Sequence, residues 1–223
     1  MAVDTKFIER HEGLLRNLLD FLLPEAAKTG VNRFEERFGL RYDEALVRCR
    51  LLDSQLKTRL SLPVDDLAVP LSQFRALAWV ELFVIITENK MTFLTLPAMP
   101  NALGIWGGGD AAELLASVSW LTRCHLYFWG DVDVHGFHIL SSLRRTFPSV
   151  VSVMMNETTL DRFSRLTVPA RPPSYEDVSG LTESERQTYQ HICAKRLLLE
   201  QEKIPHAYAV QQLHEALHQR TGS

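Results

Sequence analysis

Between residues 82 and 154, short apolar runs alternate with amphipathic stretches. Leu82-Phe83-Val84-Ile85-Ile86 is interrupted by no polar residue, the pattern of a strand covered on both faces. Leu103-Gly104-Ile105-Trp106, His125 to Trp129 and Val150 to Met154 repeat it. Between these runs, Met91 to Leu96 reads as a short helical or turn element. Asp110 reads as the cap of a helix through Trp120, and Phe137 to Thr146 as a further helix. Strand, helix, strand, helix predicts an α/β fold: a mainly parallel four-stranded sheet flanked by helices, with right-handed crossovers.

Either side of this region the patterning differs. Phe7, Leu14, Leu15, Leu18 and Leu22 recur at helical spacing, and Pro24 and Gly30 mark that helix's end. Residues 33–59 are basic-leaning, with Arg33, Arg37, Arg41, Arg48, Arg50, Lys57 and Arg59. Such runs ordinarily form a solvated face, here paired with Glu35, Glu36, Asp43 and Asp53. Pro63, Asp65, Asp66 and Pro70 suggest a boundary. Downstream, Pro169, Pro172 and Pro173 lead into helices. Thr182 to Glu185 fits a capping box, and its helix is expected to reach about Glu202 before Pro205 stops it. The expected divisions are a mostly helical N-terminal segment (1–75), an α/β domain (76–168) and a C-terminal helical extension packed on it (169–223).

Composition narrows the class. With 46% hydrophobic and 23% charged residues, the chain can build a sizeable core. No apolar run approaches the roughly 20 residues of a membrane span, and acids stand where a signal peptide is basic. Cys49, Cys124 and Cys193 lack metal-site spacing and read as free thiols in a reducing cytoplasm. A net charge of -3 gives no global attraction to nucleic acid, so DNA binding needs a local basic surface or a partner.

The chemistry is concentrated in Trp129-Gly130-Asp131-Val132-Asp133-Val134-His135-Gly136. Two carboxylates cannot enter a core unpaired. They must sit where the strand emerges, which in an open α/β sheet is the ligand crevice. The first strand exits through Thr87-Glu88-Asn89-Lys90. A strand order of 2-1-3-4 makes the two exits adjacent, so that Glu88, Asp131 and Asp133 converge. Such hard oxygen donors suit one or two Mg2+ or Mn2+ ions, which can orient a phosphodiester and generate a nucleophile. The plainer alternative has Asp131 and Asp133 merely capping the next helix.

Secondary candidates surround this set. Lys90 can contact a phosphate or pair with a nearby acid. His135 can contact a phosphate or support the metal's ligands. Arg144 and Arg145 close the following helix. Gly107-Gly108-Gly109 ahead of a helix is a loop or a phosphate cradle, without the Lys-Ser/Thr of a nucleotide-binding loop. Glu200 and Glu202, read as two apart on a helix, point different ways, so at most one faces the site.

At these residues the chain resembles a known family. Glu88 after an apolar strand, followed by Gly130-Asp131-Val132-Asp133-Val134-His135-Gly136, is similar to a Toprim domain, the metal-binding fold of topoisomerases, primases and some nucleases. More closely, Ile86-Thr87-Glu88-Asn89-Lys90, Ile105 to Gly109, Trp129 to Phe137 and Leu199-Glu200-Gln201-Glu202 resemble the C-terminal region of the Wadjet plasmid-defence subunit JetD. That family is related to the DNA-cleaving subunit of type VI topoisomerases. The resemblance implies a Mg2+- or Mn2+-dependent DNA endonuclease that works on plasmid DNA with an SMC-type, condensin-like motor, as a homodimer. It implies Glu88, Asp131 and Asp133 as metal ligands, keeps Glu202 in play, and assigns the N-terminal segment to a CAP-like winged-helix DNA-binding domain.

Two departures from the family pattern bear on activity. Relatives usually carry a further N-terminal arm, so the resemblance implies a fragment or a short relative. Asn156 stands where relatives carry an acid after the Met-rich fourth strand, which implies weaker activity if that acid supports a metal. Tyr42 is the sole tyrosine before the α/β region and reads as a partly buried helical aromatic. A metal-activated water is therefore the expected nucleophile, giving hydrolysis. The alternatives are a catalytically silent DNA-binding or scaffold subunit and a Mg2+-dependent phosphotransfer or primase-like activity.

Overall fold

The computed structural model describes residues 5–108, 111–170 and 178–221, and the chain divides into two units, Met1–Ala45 and Leu46–Ser223. The first unit contains helix α1 (Thr5–Leu22), at the expected place, and a single turn α2 (Phe34–Arg37) that buries Phe34. Arg37 organises it by donating to Asp20 Oδ1 at 2.8 Å and to the carbonyl of Lys28 at 2.9 Å. Arg33 lies over the Tyr42 ring.

The second unit begins with β1 (Leu46–Leu51), α3 (Ser54–Arg59), β2 (Asp66–Pro70) and α4 (Leu71–Ala76). These residues were expected in a mostly helical segment ending at 75, and the sheet instead starts at Leu46. The reason lies in β1's alternation, which buries Val47, Cys49 and Leu51 and turns Arg48 and Arg50 outward. Neither arginine is a free cation. Arg48 grips Asp66 across the β1–β2 pair through Nε at 2.9 Å and Nη2 at 2.7 Å. Arg50 donates to the carbonyls of Phe93, Leu94 and Leu96, satisfying groups left over at a helix C-terminus.

Next come β3 (Phe83–Thr87), α5 (Lys90–Thr95), β4 (Ala102–Trp106), α6 (Ala111–Ala116), β5 (His125–Trp129), α7 (Val134–Thr146), β6 (Val151–Ser152) and α8 (Glu157–Arg162). The six strands form one sheet in the order β2-β1-β4-β3-β5-β6. Its inner part, β4-β3-β5-β6, is parallel and carries the expected 2-1-3-4 order, extended at one edge by the antiparallel β1 and β2. Val84, Ile85, Ile86, Leu126 and Phe128 are essentially inaccessible, as strands covered on both faces must be. The fourth strand shrinks to two residues. The helix before β5 stops at Ala116, and a 3₁₀ turn (Ser119–Arg123) follows it. Trp120 is pulled into the core there, donating Nε1 to the Phe74 carbonyl at 2.8 Å. Gly109, Asp110, Pro172 and Pro173 lie outside the described residues.

The C-terminal part contains β7 (Val168–Pro169), α9 (Glu183–Lys195), β8 (Leu197–Leu198) and α10 (His206–Thr221). The capping box forms as expected, Thr182 and Glu185 bonding reciprocally. The helix does not reach Glu202, however. Arg196 turns left-handed (φ 53°), and Leu197 and Leu198 pair with β7. Among the described residues no helix is long and apolar enough to cross a membrane.

Candidate metal centre

Because β3 and β5 run parallel in register, with Thr87 opposite Trp129, both strands release their next residues at one edge of the sheet. Glu88 and Asp131 are those residues' acids. The Asp131 backbone N–H donates to Glu88 Oε2 at 3.3 Å, locking the two exits together. Asn89 caps α5, its Oδ1 accepting from the N–H groups of Met91 and Thr92, and so fixes the turn that carries Glu88.

Asp133 caps α7, its Oδ1 accepting from the Gly136 N–H at 2.7 Å. The plainer capping alternative therefore holds for this one oxygen, and the cap leaves the second oxygen of the carboxylate unused. Gly136 is required by space, because a Cβ there would stand 2.1 Å from the Asp131 carbonyl oxygen. Gly130 is similarly constrained, since its Cβ would meet the Phe128 ring at 2.7 Å and Glu88 Oε2 at 3.2 Å.

A third segment completes the edge. Val132 and Leu199 exchange backbone hydrogen bonds of 2.9 and 3.2 Å, bringing the 3₁₀ turn Gln201–Lys203 against the strand exits. Gln201 is buried there. Its N–H donates to Asp131 Oδ1 at 2.8 Å, its Oε1 accepts from the Asn89 N–H at 2.8 Å, and its Nε2 donates to the Trp129 carbonyl. Glu202 accepts a hydrogen bond from Asn89 Nδ2. Sequence reasoning treated Glu202 as half of a helical pair and missed Gln201 altogether. The available signal was Leu197-Leu198-Leu199, an apolar triplet with strand character inside an otherwise polar helix pattern.

Electrostatics single out two of the acids. Burial, above all, and then the charges of Asp133 and Glu202 push Glu88 up to about 7, against the opposing hydrogen bond from Asp131. Burial also pushes Asp131 up to about 7, helped by Glu88, Asp133 and Glu202, against the hydrogen bond from Gln201. His135 Nε2 stands 3.8 Å from Glu88 Oε1. Hard oxygen donors with raised proton affinity and little positive charge beside them are suited to a divalent cation. No three His, Cys, Asp or Glu side chains among the described residues close into a ready cage.

The remaining candidates divide. Lys90 opens α5, its Nζ 5.7 Å from the Trp106 ring centre, while Trp106 Nε1 donates to the Glu88 carbonyl at 3.0 Å. Arg144 is not part of the site. Near the far end of α7, it donates to both oxygens of the buried Glu185, at 2.5 and 2.8 Å, and to the carbonyls of Val150 and Gly180. Its position toward the end of an amphipathic helix left it looking available, when α9 in fact claims it. Asn156 caps α8 by accepting from the Thr159 N–H at 2.9 Å. Of the basic run at 33–59, Arg33 pairs with Glu35 as expected, whereas Arg37 and Arg48 take Asp20 and Asp66.

No curated protein matches this chain. The model of the family described as Wadjet protein JetD, C-terminal, does match it, over residues 39–213, which take in all three segments that build this edge, and the chain belongs to that family.

Proposed function

We propose that the chain is the DNA-cleaving subunit of a Wadjet-type defence system, hydrolysing phosphodiesters at a Toprim-like divalent-metal site. Family membership supports a Wadjet component, and the finer reading rests on one observation. Glu88 and Asp131, at the exits of adjacent parallel strands, are partly buried side by side, with proton affinities raised to about 7. Such a pair is electrostatically unfavourable in itself and is relieved by a cation.

The donor set fits Mg2+ or Mn2+. All the acids are hard oxygen donors, and Mg2+ characteristically keeps several waters and binds through one or two carboxylates, so a closed protein cage is not needed. Glu88 and Asp131 would hold the ion, with Asp133 and Glu202 at its margin. When bound, the ion supplies a lowered pKa for a coordinated water and positive charge for the phosphodiester oxygens.

The chain's own residues do the rest. Gln201 and Asn89 hold the two ligands in place, Gly130 and Gly136 let the backbone approach, and His135 stands half-exposed beside Glu88, placed to donate to a phosphate oxygen. Water is the nucleophile of this reading, and the Tyr42 phenol is held above its ordinary pKa by burial and by Glu36 and Glu44. DNA delivery by an SMC-type motor and a homodimeric assembly remain part of the proposal, consistent with a net charge of -3 that gives weak autonomous attraction to DNA.

The test is supercoiled plasmid incubated with the chain in Mg2+, Mn2+ or EDTA, beside a Glu88→Gln/Asp131→Asn variant, alone and with the partner complex. Metal-dependent nicking lost in the variant is the expected result. Cleavage that survives the variant, or no cleavage even with the motor present, sinks the nuclease assignment. One observation favours a second reading, a DNA-binding subunit without catalysis: no closed ligand cage exists among the described residues. That reading predicts salt-sensitive DNA retention equal in wild type and variant.

A further inference from the structure

The last helix carries a pattern that the carboxylate edge does not use. In α10, His214-Glu215-Ala216-Leu217-His218 sets two histidines four residues apart, and a helix of 3.6 residues per turn brings such a pair onto one face. The two imidazole rings do lie together, nearly parallel at 24° with their centres 6.4 Å apart. Leu213 and Leu217 are buried in the core, and the Tyr127 hydroxyl donates to the Ala216 carbonyl at 3.3 Å. The helix is thus held down on its apolar side, with His214 half-buried and His218 exposed.

Donor chemistry decides the ligand class. Imidazole suits Zn2+, Ni2+ and Cu2+, whereas the hard oxygens of Glu88 and Asp131 suit Mg2+ or Mn2+. Two imidazoles one turn apart can close on a single ion by side-chain rotation, on a backbone that the helix already fixes. A cation there also lies toward the negative, C-terminal end of the helix dipole. The pair is separate from the carboxylates. His206, at the start of α10, shares a cavity with Gln201 and Glu202. At 1.5 Å per residue, His214 stands about 12 Å and His218 about 18 Å further along the axis. The glutamate of the pattern does not make this a hydrolytic site. Glu215 Oε1 accepts from Gln211 and Oε2 from Gln212, each at 2.8 Å, and no third His, Cys, Asp or Glu joins the pair among the described residues. We propose that His214 and His218 together bind one transition-metal ion of the Zn2+, Ni2+ and Cu2+ class, with water in the remaining positions.

The test is calorimetric titration of the full chain with Zn2+ in excess Mg2+, which keeps the oxygen sites occupied. Beside wild type stand His214→Gln, His218→Gln and the exchange His218→Gln/Gln219→His. The exchange keeps both imidazoles but moves one off the shared face. A single Zn2+ site is expected in wild type, with affinity about a hundredfold lower in all three variants, as when one of two linked ligands is lost. Unfolding temperatures in EDTA equal to that of wild type show that the variants fold. Electron paramagnetic resonance with Cu2+ supplies a second readout, two coordinating nitrogens in wild type and one in each variant. Absence of Zn2+ uptake by wild type overturns the proposal. Uptake unchanged in both single variants, or an exchange variant that binds as wild type does, overturns it equally. None of these outcomes depends on the nuclease reading, since neither DNA nor the carboxylates enter them.

Discussion

Gln201 donates its backbone N–H to Asp131 Oδ1 at 2.8 Å, joining two points 70 residues apart in the chain. Its side chain simultaneously holds the Asn89 N–H and the Trp129 carbonyl, so one buried amide braces the exits of both β3 and β5. Gln201→Ala keeps the backbone bond and strips the other two. The expected cost is about 1–3 kcal/mol of stability from the unmet buried groups. Divalent-cation affinity should fall about 10- to 100-fold, as when groups supporting a metal's ligands are lost. Thermal unfolding and Mn2+ calorimetry read the two effects separately, and unchanged Mn2+ affinity would refute the bracing role.

Glu88 is expected to be destabilising on its own and stabilising with metal. Its carboxyl is held up at about 7 by burial and by neighbouring acids, so removing the charge relieves repulsion. At pH 8 in EDTA, Glu88→Gln should melt at the same temperature as wild type or higher. Added Mn2+ should stabilise wild type by about 2.7 kcal/mol at a hundredfold excess over its Kd, and the variant far less. Equal metal-induced shifts in the two proteins would exclude Glu88 as a ligand.

The strand exits were legible in the sequence because their signals are local. An apolar run ending in Thr87-Glu88 or Trp129-Gly130-Asp131 states both the strand and the place where charge must emerge. The inner strand order also followed, since those acids meet only where the first and third strands are neighbours, as the order 2-1-3-4 makes them. What escaped was set by distant partners. Arg48 and Arg50 disguised β1 as a charged surface until Asp66 and the α5 carbonyls claimed them. Gln201 is polar, unremarkable in its neighbourhood, and acquires its role through the Val132–Leu199 bridge. Arg144 was misplaced for the same reason, its partner Glu185 being 41 residues away.

The Arg144–Glu185 pair makes a prediction about pH. Burial raises the Glu185 carboxyl, but hydrogen bonds from Arg144, Ser152 and the Thr182 N–H outweigh it, and the net shift is downward. A carboxylate with a lowered folded-state pKa contributes stability that is fully present above its unfolded value, near 4.3, and is lost as pH falls through the folded one. Glu185→Gln should therefore flatten the acid limb of the stability curve below about pH 4. It should also cost about 3–5 kcal/mol at neutral pH, because Arg144 is left buried and uncompensated. Urea melts between pH 3 and 7 measure both. An acid limb identical to wild type would show that other carboxylates govern it.

Two glycines give opposite predictions for the same substitution. At Gly136 a new Cβ would fall 2.1 Å from the Asp131 carbonyl oxygen, which is backbone and cannot rotate away. Gly136→Ala must push the start of α7 from the strand exit, at a cost of about 1–3 kcal/mol or more. Because the displaced atoms belong to Asp131 and to the Asp133 cap, divalent-cation binding should weaken along with stability. At Gly13, inside α1, nothing lies within 4 Å of the added Cβ. Gly13→Ala should therefore stabilise its helix by about 0.5–1 kcal/mol through reduced chain entropy, and leave cation binding untouched. Melting curves and Mn2+ calorimetry on both variants decide the matter. A Gly136→Ala protein that binds Mn2+ as wild type does would show that the close approach of α7 to Asp131 plays no part in shaping the metal centre.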